Sequence, residues 1–209
     1  MYPQSIEKRL VIVSGTGDVS AQPDVADVQL GVVTTGKNLS ITQQENAQIM
    51  TQVIQSLERA GVPRKNIMTV DYSIQPQYDY VEGQQIFRGY EVRNIVSVTL
   101  ENINKTGLII DTAVQNGANQ VLNIEFSVQN PEALYQEALS KALKNAYSKA
   151  QTITRTMRLQ LDAAPVKVVE TKQEGVRPLQ TAAYSTAAPV QPGQLEVKAF
   201  VEVQYRAYA

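Results

Sequence analysis

VIVSGTGDVSAQPDVADVQLGVVTTGKN, residues 11–38, is the stretch on which the reading of this chain turns. It holds two glycine patterns that mimic nucleotide sites, Gly15-Thr16-Gly17 and the run from Gly31 to Lys37. The second fits P-loop spacing as far as its lysine. Asn38, however, stands where that motif uses Ser or Thr to hold magnesium, and Val32-Val33-Thr34-Thr35 is β-branched, which favours strand over a phosphate cradle. Ala26, Val28, Leu30 and Val32 alternate with Asp27, Gln29 and Gly31, the period of two of a half-buried strand. Residues 18–35 therefore read as one strand with Gly31 inside it. Gly15-Thr16-Gly17 lacks a third glycine, and no helix follows to supply an anion site. It predicts a glycine-permitted bend or bulge between a strand at 8–13 and the strand at 18–35. A P-loop-like nucleotide binder using Lys37 is kept as the enzyme-class alternative.

Outward from this stretch, Met50, Val53, Ile54 and Leu57 fall at the i, i+3, i+4, i+7 spacing of one helical stripe, so 42–60 reads as a helix stopped by Gly61 and Pro63. A strand at 67–75, a turn region at 76–85 and a long returning strand at 86–100 follow. On that returning strand Asn94 interrupts an otherwise apolar face. A short helix at 105–115 closes at Gly117, and a strand follows at 121–128. Asn130 caps a long helix with Pro131 in its first turn. Its predicted buried stripe is Tyr135, Leu139, Ala142, Leu143, Ala146, Ala150, Ile153 and Met157. A strand at 166–171, a Pro- and Gly-punctuated loop at 173–193 and a strictly alternating strand from Leu195 to Tyr205 end the chain. The expected organisation is an N-terminal tail at 1–8 and a single domain at 9–209, divisible into sub-domains at about 9–129 and 130–209.

Composition narrows the chemistry. The 209 residues carry net charge −1, with 19 basic and 20 acidic residues, so no global field favours nucleic acid or an anionic membrane. Cysteine, histidine and tryptophan are absent. That removes disulfides, thiolate nucleophiles, zinc–sulfur sites and the commonest general base and metal ligand. Asp24 and Asp27 lie three apart on a strand and so face opposite ways. No carboxylate pair is placed for acid–base work, and no catalytic residue, cofactor or metal site is expected. No apolar run reaches the roughly 18–20 residues that span a bilayer. The first residues, MYPQS, carry none of the regions of a signal peptide. Two readings follow, a cytosolic protein or an exported chain whose leader has been removed.

Tyrosine clusters instead. Tyr72, Tyr78, Tyr80 and Tyr90 fall in one predicted hairpin, beside Phe87 and Arg88. Aromatics with arginine are enriched at interface hot spots, which makes these six residues the candidate surface for self-assembly or partner binding. Ordinary cross-strand packing in an exposed hairpin is the competing explanation.

In order along the chain, Gly15-Thr16-Gly17-Asp18-Val19, Pro23-Asp24-Val25-Ala26, Gly61-Val62, Ile67, Thr69, Ile74-Gln75-Pro76-Gln77-Tyr78, Gly89-Tyr90, Gly117-Ala118 and Phe126 form a connected series. The alanines at 138, 142, 146 and 150 and Pro192-Gly193 complete it. The series resembles the SIMPL-domain family, to which bacterial periplasmic immunogenic proteins belong, over about residues 10–207. The resemblance implies an α+β fold, with a mixed or antiparallel sheet packed against one long and two shorter helices. It implies an exported, periplasmic or envelope-associated bacterial protein that assembles with itself into a ring or barrel-like oligomer, and a link to stress tolerance; the leading reading of the chain is such a protein without enzymatic activity. It carries over no catalytic residue. A ligand- or partner-binding module, acting as a monomer or small oligomer, is the alternative reading.

Overall fold

The computed structural model describes residues 9–171, 177–178 and 192–209. Its strands and α-helices follow in the order β1 (Arg9–Ala21), β2 (Val25–Gly36), α1 (Leu39–Arg59), β3 (Ile67–Val81), β4 (Gln84–Leu100), α2 (Thr106–Gln115), β5 (Gln120–Ser127), α3 (Pro131–Thr156), β6 (Gln160–Thr171), β7 (Arg177–Pro178) and β8 (Leu195–Tyr208). Every strand pair is antiparallel, and the strands form two sheets, β1-β8-β6 with β7 on β8, and β3-β4-β2-β5. The chain is thus an α+β protein. It divides into two compact units, one of described residues 9–22, 128–171, 177–178 and 193–209, the other of residues 23–127 and 192. The expected tail at 1–8 lies outside the described residues. So does the loop at 173–193, apart from Arg177–Pro178 on β8 and residues 192–193.

In the first unit, β8 alternates buried and less buried residues along its whole length. Leu195, Val197, Ala199, Val201, Val203, Tyr205 and Ala207 supply the inward face, as their period of two dictates. Val11, Val13 and Val19 of β1 join them, and α3 covers this face. Asn130 caps α3 by accepting from the Ala133 amide at 3.1 Å, with Pro131 in the first turn. The buried residues of the helix are Ala138, Ala142, Ala146, Ala150 and Thr154, spaced by four. Tyr135 and Leu139 flank them, whereas Leu143, Ile153 and Met157 of the expected stripe are exposed. The alanines, not the larger side chains, mark the contact because the helix backbone lies close to β1.

Gly15 and Gly17 explain that closeness and correct the expected bend. Both lie inside β1, paired with Val201 and Ala199, in unbroken alternation with Val13 and Val19. A Cβ on Gly15 would stand 2.8 Å from the Ala146 Cβ, and one on Gly17 2.5 Å from the Ala142 amide nitrogen. The glycines are therefore the sheet's half of a helix seat whose other half is the alanine stripe. The chain breaks later, at Gln22–Asp24, where Pro23 lacks a ladder donor.

The same helix closes the edge of its sheet. Lys149 Nζ donates to the Ser14 carbonyl at 2.8 Å, and Lys141 Nζ to the Asp18 carbonyl at 3.2 Å. Between them, the Thr16 amide donates to Asn145 Oδ1 at 3.2 Å. Three side chains, four residues apart on α3, thus occupy main-chain groups that a further strand would use.

The second unit runs β2-α1-β3-β4-α2-β5, with β4 inserted between β2 and β3, a split βαβ arrangement of ferredoxin-like type. Ala26, Val28, Leu30 and Val32 of β2 and Val96, Val98 and Leu100 of β4 pack against Met50, Val53 and Leu57 of α1 and Ile109 and Ala113 of α2. Burying each of the larger of these side chains contributes roughly 1.5–3 kcal/mol. Asn46, fully buried on α1, donates from Nδ2 to the Val32 and Val92 carbonyls at 3.0 Å each. Gly31 lies in mid-strand, paired with Ile95 on one side and Gln120 on the other. Residues 31–36 are therefore ladder, not loop, and form no phosphate cradle.

Candidate functional site

The six candidate residues lie on or beside the β3–β4 hairpin. Sequence reading ends the first strand at 75 and places a turn region at 76–85. The structure corrects this: β3 runs through Pro76 to Val81, and only Glu82 and Gly83 turn. Both have positive φ, 48° and 81°, as a two-residue turn between twisted strands requires. Pro76 is tolerated because β3 is the sheet's edge, where the missing N–H faces away from the ladder.

β2 ends at Gly36, opposite Tyr90. The hairpin from Gln77 to Gly89 therefore extends beyond the four-stranded sheet, and among the described residues its strands pair only with each other. An isolated two-stranded ribbon is marginal in water, and aromatic contacts reinforce this one. Tyr78 lies opposite Phe87, their rings edge-on at 5.7 Å, and Phe87 meets Tyr90 edge-on at 5.2 Å. Such pairs are worth about 0.5–1.5 kcal/mol beyond area burial. Arg88 is an extra residue in β4, between the partners of Gln77 and Tyr78, and its guanidinium lies 3.5 Å from Asp79. Both partners are exposed, so the pair adds at most about 1 kcal/mol.

The structure thus joins Tyr78, Phe87 and Tyr90 in one ring contact series. Tyr72 stands nearer α1, accepting from Gln43 Nε2 at 3.1 Å through its hydroxyl. Tyr80 is 75% exposed, while Tyr78 and Phe87 are each 44% exposed. Sequence reading missed Ile74 and Pro76, which share the parity of Tyr72, Tyr78 and Tyr80 along β3. The signal was the unbroken period of two through Pro76, hidden because proline reads as a break. A polar cleft of about 300 Å3 opens at the hairpin's base, lined by Thr35, Lys37, Gln77, Arg88, Tyr90 and Glu91 among others.

Away from the hairpin, Tyr135 of α3 donates to Glu170 Oε1 of β6 at 2.6 Å. That hydrogen bond, then desolvation and the charges of Glu170 and Glu132, push its phenol up to about 12. Among the described residues no group of three or more acidic side chains is placed to hold a metal ion. Nor is any helix there long and apolar enough to cross a membrane.

Fold and surface together define an α+β protein of two antiparallel-sheet units, one of which extends an aromatic hairpin. The chain belongs to the SIMPL family, described as "Protein of unknown function (DUF541)", whose model matches residues 11–205. It is 30% identical over 143 residues to "Uncharacterized protein YggE" of Escherichia coli strain K12, a match covering 68% of this chain and 58% of that protein. It is 30% identical over 148 residues to the "26 kDa periplasmic immunogenic protein" of Brucella melitensis biotype 1, covering 68% of this chain and 59% of that one. It is 29% identical over 149 residues to the human "Interleukin-1 receptor-associated kinase 1-binding protein 1", covering 69% of this chain and 54% of that one. The matches therefore span less than two thirds of these relatives' lengths.

Proposed function

We propose that this chain is a non-enzymatic, exported, envelope-associated protein that assembles with itself through the β3–β4 hairpin. The observation that carries the self-assembly reading is the exposed aromatic ribbon, with Tyr78, Tyr80 and Phe87 presented beyond the sheet. Contiguous exposed apolar surface of this kind marks interaction sites. Export is supported by the name of the Brucella relative, a periplasmic protein. The non-enzymatic reading rests on the side-chain inventory, which has neither histidine nor cysteine.

A second reading has its own support. The human relative is named as a binding protein of another polypeptide, so the same hairpin docking a different protein is the alternative. Replacing Tyr78 and Tyr80 by Ser separates the two. Self-assembly predicts a lower native mass for the variant by light scattering; heterologous docking predicts an unchanged mass.

A further inference from the structure

The stretch Tyr72-Ser73-Ile74-Gln75-Pro76-Gln77-Tyr78-Asp79-Tyr80 is partly symmetric about Pro76, with identical residues in two of its four mirrored pairs and an apolar or aromatic pair in a third. Gln75 mirrors Gln77, Ile74 mirrors Tyr78, and Tyr72 mirrors Tyr80. We propose that two copies of this chain pair antiparallel along the free edges of β3, about a two-fold axis at Pro76. The inference rests on the reading of the hairpin as a self-association surface and gives that surface a register.

A two-fold antiparallel contact sets each residue opposite the one equally far beyond the axis. Here Tyr72 faces the second copy's Tyr80 and Ile74 its Tyr78, on one side of the sheet. Aromatic–aromatic and aromatic–β-branched pairs are favourable across strands. On the other side Gln75 faces Gln77 and Ser73 faces Asp79, while Asp71 faces Val81, so no two aspartates oppose each other.

Among the described residues no strand pairs with the outer side of β3. β3 is the outer strand of its sheet and packs on β4, while α1 lies over β2 and β4. β3 itself is regular from Asp71 to Val81, because its irregularity falls between Thr69 and Asp71 and the second one is the extra Arg88 in β4. The β1 edge of the other sheet is occupied by Lys141, Asn145 and Lys149, which shows how this chain closes an edge. Among the described residues no side chain closes the β3 main chain in that way.

Pro76 sets the register. Its missing donor faces the free edge, so Tyr72, Ile74, Tyr78 and Tyr80, of the same parity, present their N–H and C=O groups there. With the two prolines opposed, both missing donors fall in a single pair. Any other same-face register spoils two pairs. Hydrogen-bonded pairs then form on either side, Ile74 with Tyr78 and Tyr72 with Tyr80.

The chain has no cysteine, so introduced thiols report alone. In the proposed register Gln75 and Gln77 form a non-hydrogen-bonded pair, whose Cα atoms lie about 4.5 Å apart, within disulfide reach. Two Gln75 residues are diagonal neighbours at about 7–8 Å, beyond it. Gln75→Cys and Gln77→Cys chains, one of them tagged, are mixed, oxidised and resolved on a non-reducing gel, with native mass measured in parallel. Ser73→Cys mixed with Asp79→Cys reports the same register independently. The expected result is an oligomer in which each mixture gives several-fold more crosslinked heterodimer than either variant alone gives homodimer. An oligomer in which neither mixture exceeds its single variants overturns the β3 pairing and leaves self-association standing. A monomer without crosslinks overturns both.

Discussion

Gly15 of β1 lies beneath Ala146 of α3 so closely that a methyl group on Gly15 would stand 2.8 Å from the Ala146 Cβ and 2.9 Å from its amide nitrogen. Gly17 meets the next turn toward the helix N-terminus in the same way, against Ala142 and Lys141. Because the obstacles include helix backbone, no rotamer change relieves them. Gly15→Ala and Gly17→Ala are each expected to destabilise the protein by at least about 1–3 kcal/mol. Urea unfolding measures this, and a loss within a few tenths of a kcal/mol at both positions would contradict the seat described for α3.

The side chains that close the β1 edge make a residue-specific prediction. Asn145→Ala removes the acceptor of the Thr16 amide. Its expected cost is about 0.5–1.5 kcal/mol, and the Thr16 amide should exchange with solvent faster than in the parent chain. Removing Lys141, Asn145 and Lys149 together re-exposes the edge, so turbidity on concentrating that triple variant should rise. Unchanged Thr16 exchange in Asn145→Ala would count against the capping role.

Asn46 offers a test in the second unit. Its Nδ2 serves the Val32 and Val92 carbonyls, while its Oδ1 has no hydrogen-bond partner. Asn46→Ala removes both hydrogen bonds from the buried layer and should cost about 1–3 kcal/mol. Asn46→Asp sets a carboxylate against two carbonyl oxygens and should cost more, about 3 kcal/mol or above. If chemical denaturation ranked the aspartate variant as the milder, the assigned amide orientation would be wrong.

These positions also show how far the sequence was legible. Alternation in Leu195–Tyr205 and the Asn130-Pro131 cap are local signals, and the structure carries both. The Gly15-Thr16-Gly17 bend was not borne out. A glycine in a strand reads as a break, and the helix that needs its missing side chain lies far along the chain, as the Thr16–Asn145 separation of 129 residues shows. For the same reason the expected α3 stripe holds Ala142, Ala146 and Ala150 correctly but adds Leu143, Ile153 and Met157, which are exposed, and omits Ala138. Pro76 suggested a turn because its edge position is a property of the sheet and not of the local sequence. All six hairpin residues are legible from their residue types and their clustering in one predicted hairpin. Their ring geometry and the role of Arg88 as an inserted residue needed the register.

Tyr135 predicts a pH effect of known sign. Its folded pKa is raised, from 10.0 to about 12, so the folded state holds the proton more tightly than the unfolded state. The stabilisation is fully present below pH 10 and is lost as pH rises through about 12. Difference titration of phenolate absorbance between the parent chain and Tyr135→Phe should show one phenol ionising near 12. A difference centred at the ordinary tyrosine value would remove the Glu170 hydrogen bond from the account.

The claim that the hairpin is a self-association surface is tested most directly by native mass. Multi-angle light scattering on the parent chain and on the Tyr78→Ser/Tyr80→Ser variant, across a range of concentrations, gives it. The expected result is a multiple of the 23.0 kDa chain mass for the parent and a smaller species for the variant. A parent chain that stays at 23.0 kDa throughout, or an oligomer whose mass the two substitutions leave unchanged, would contradict it.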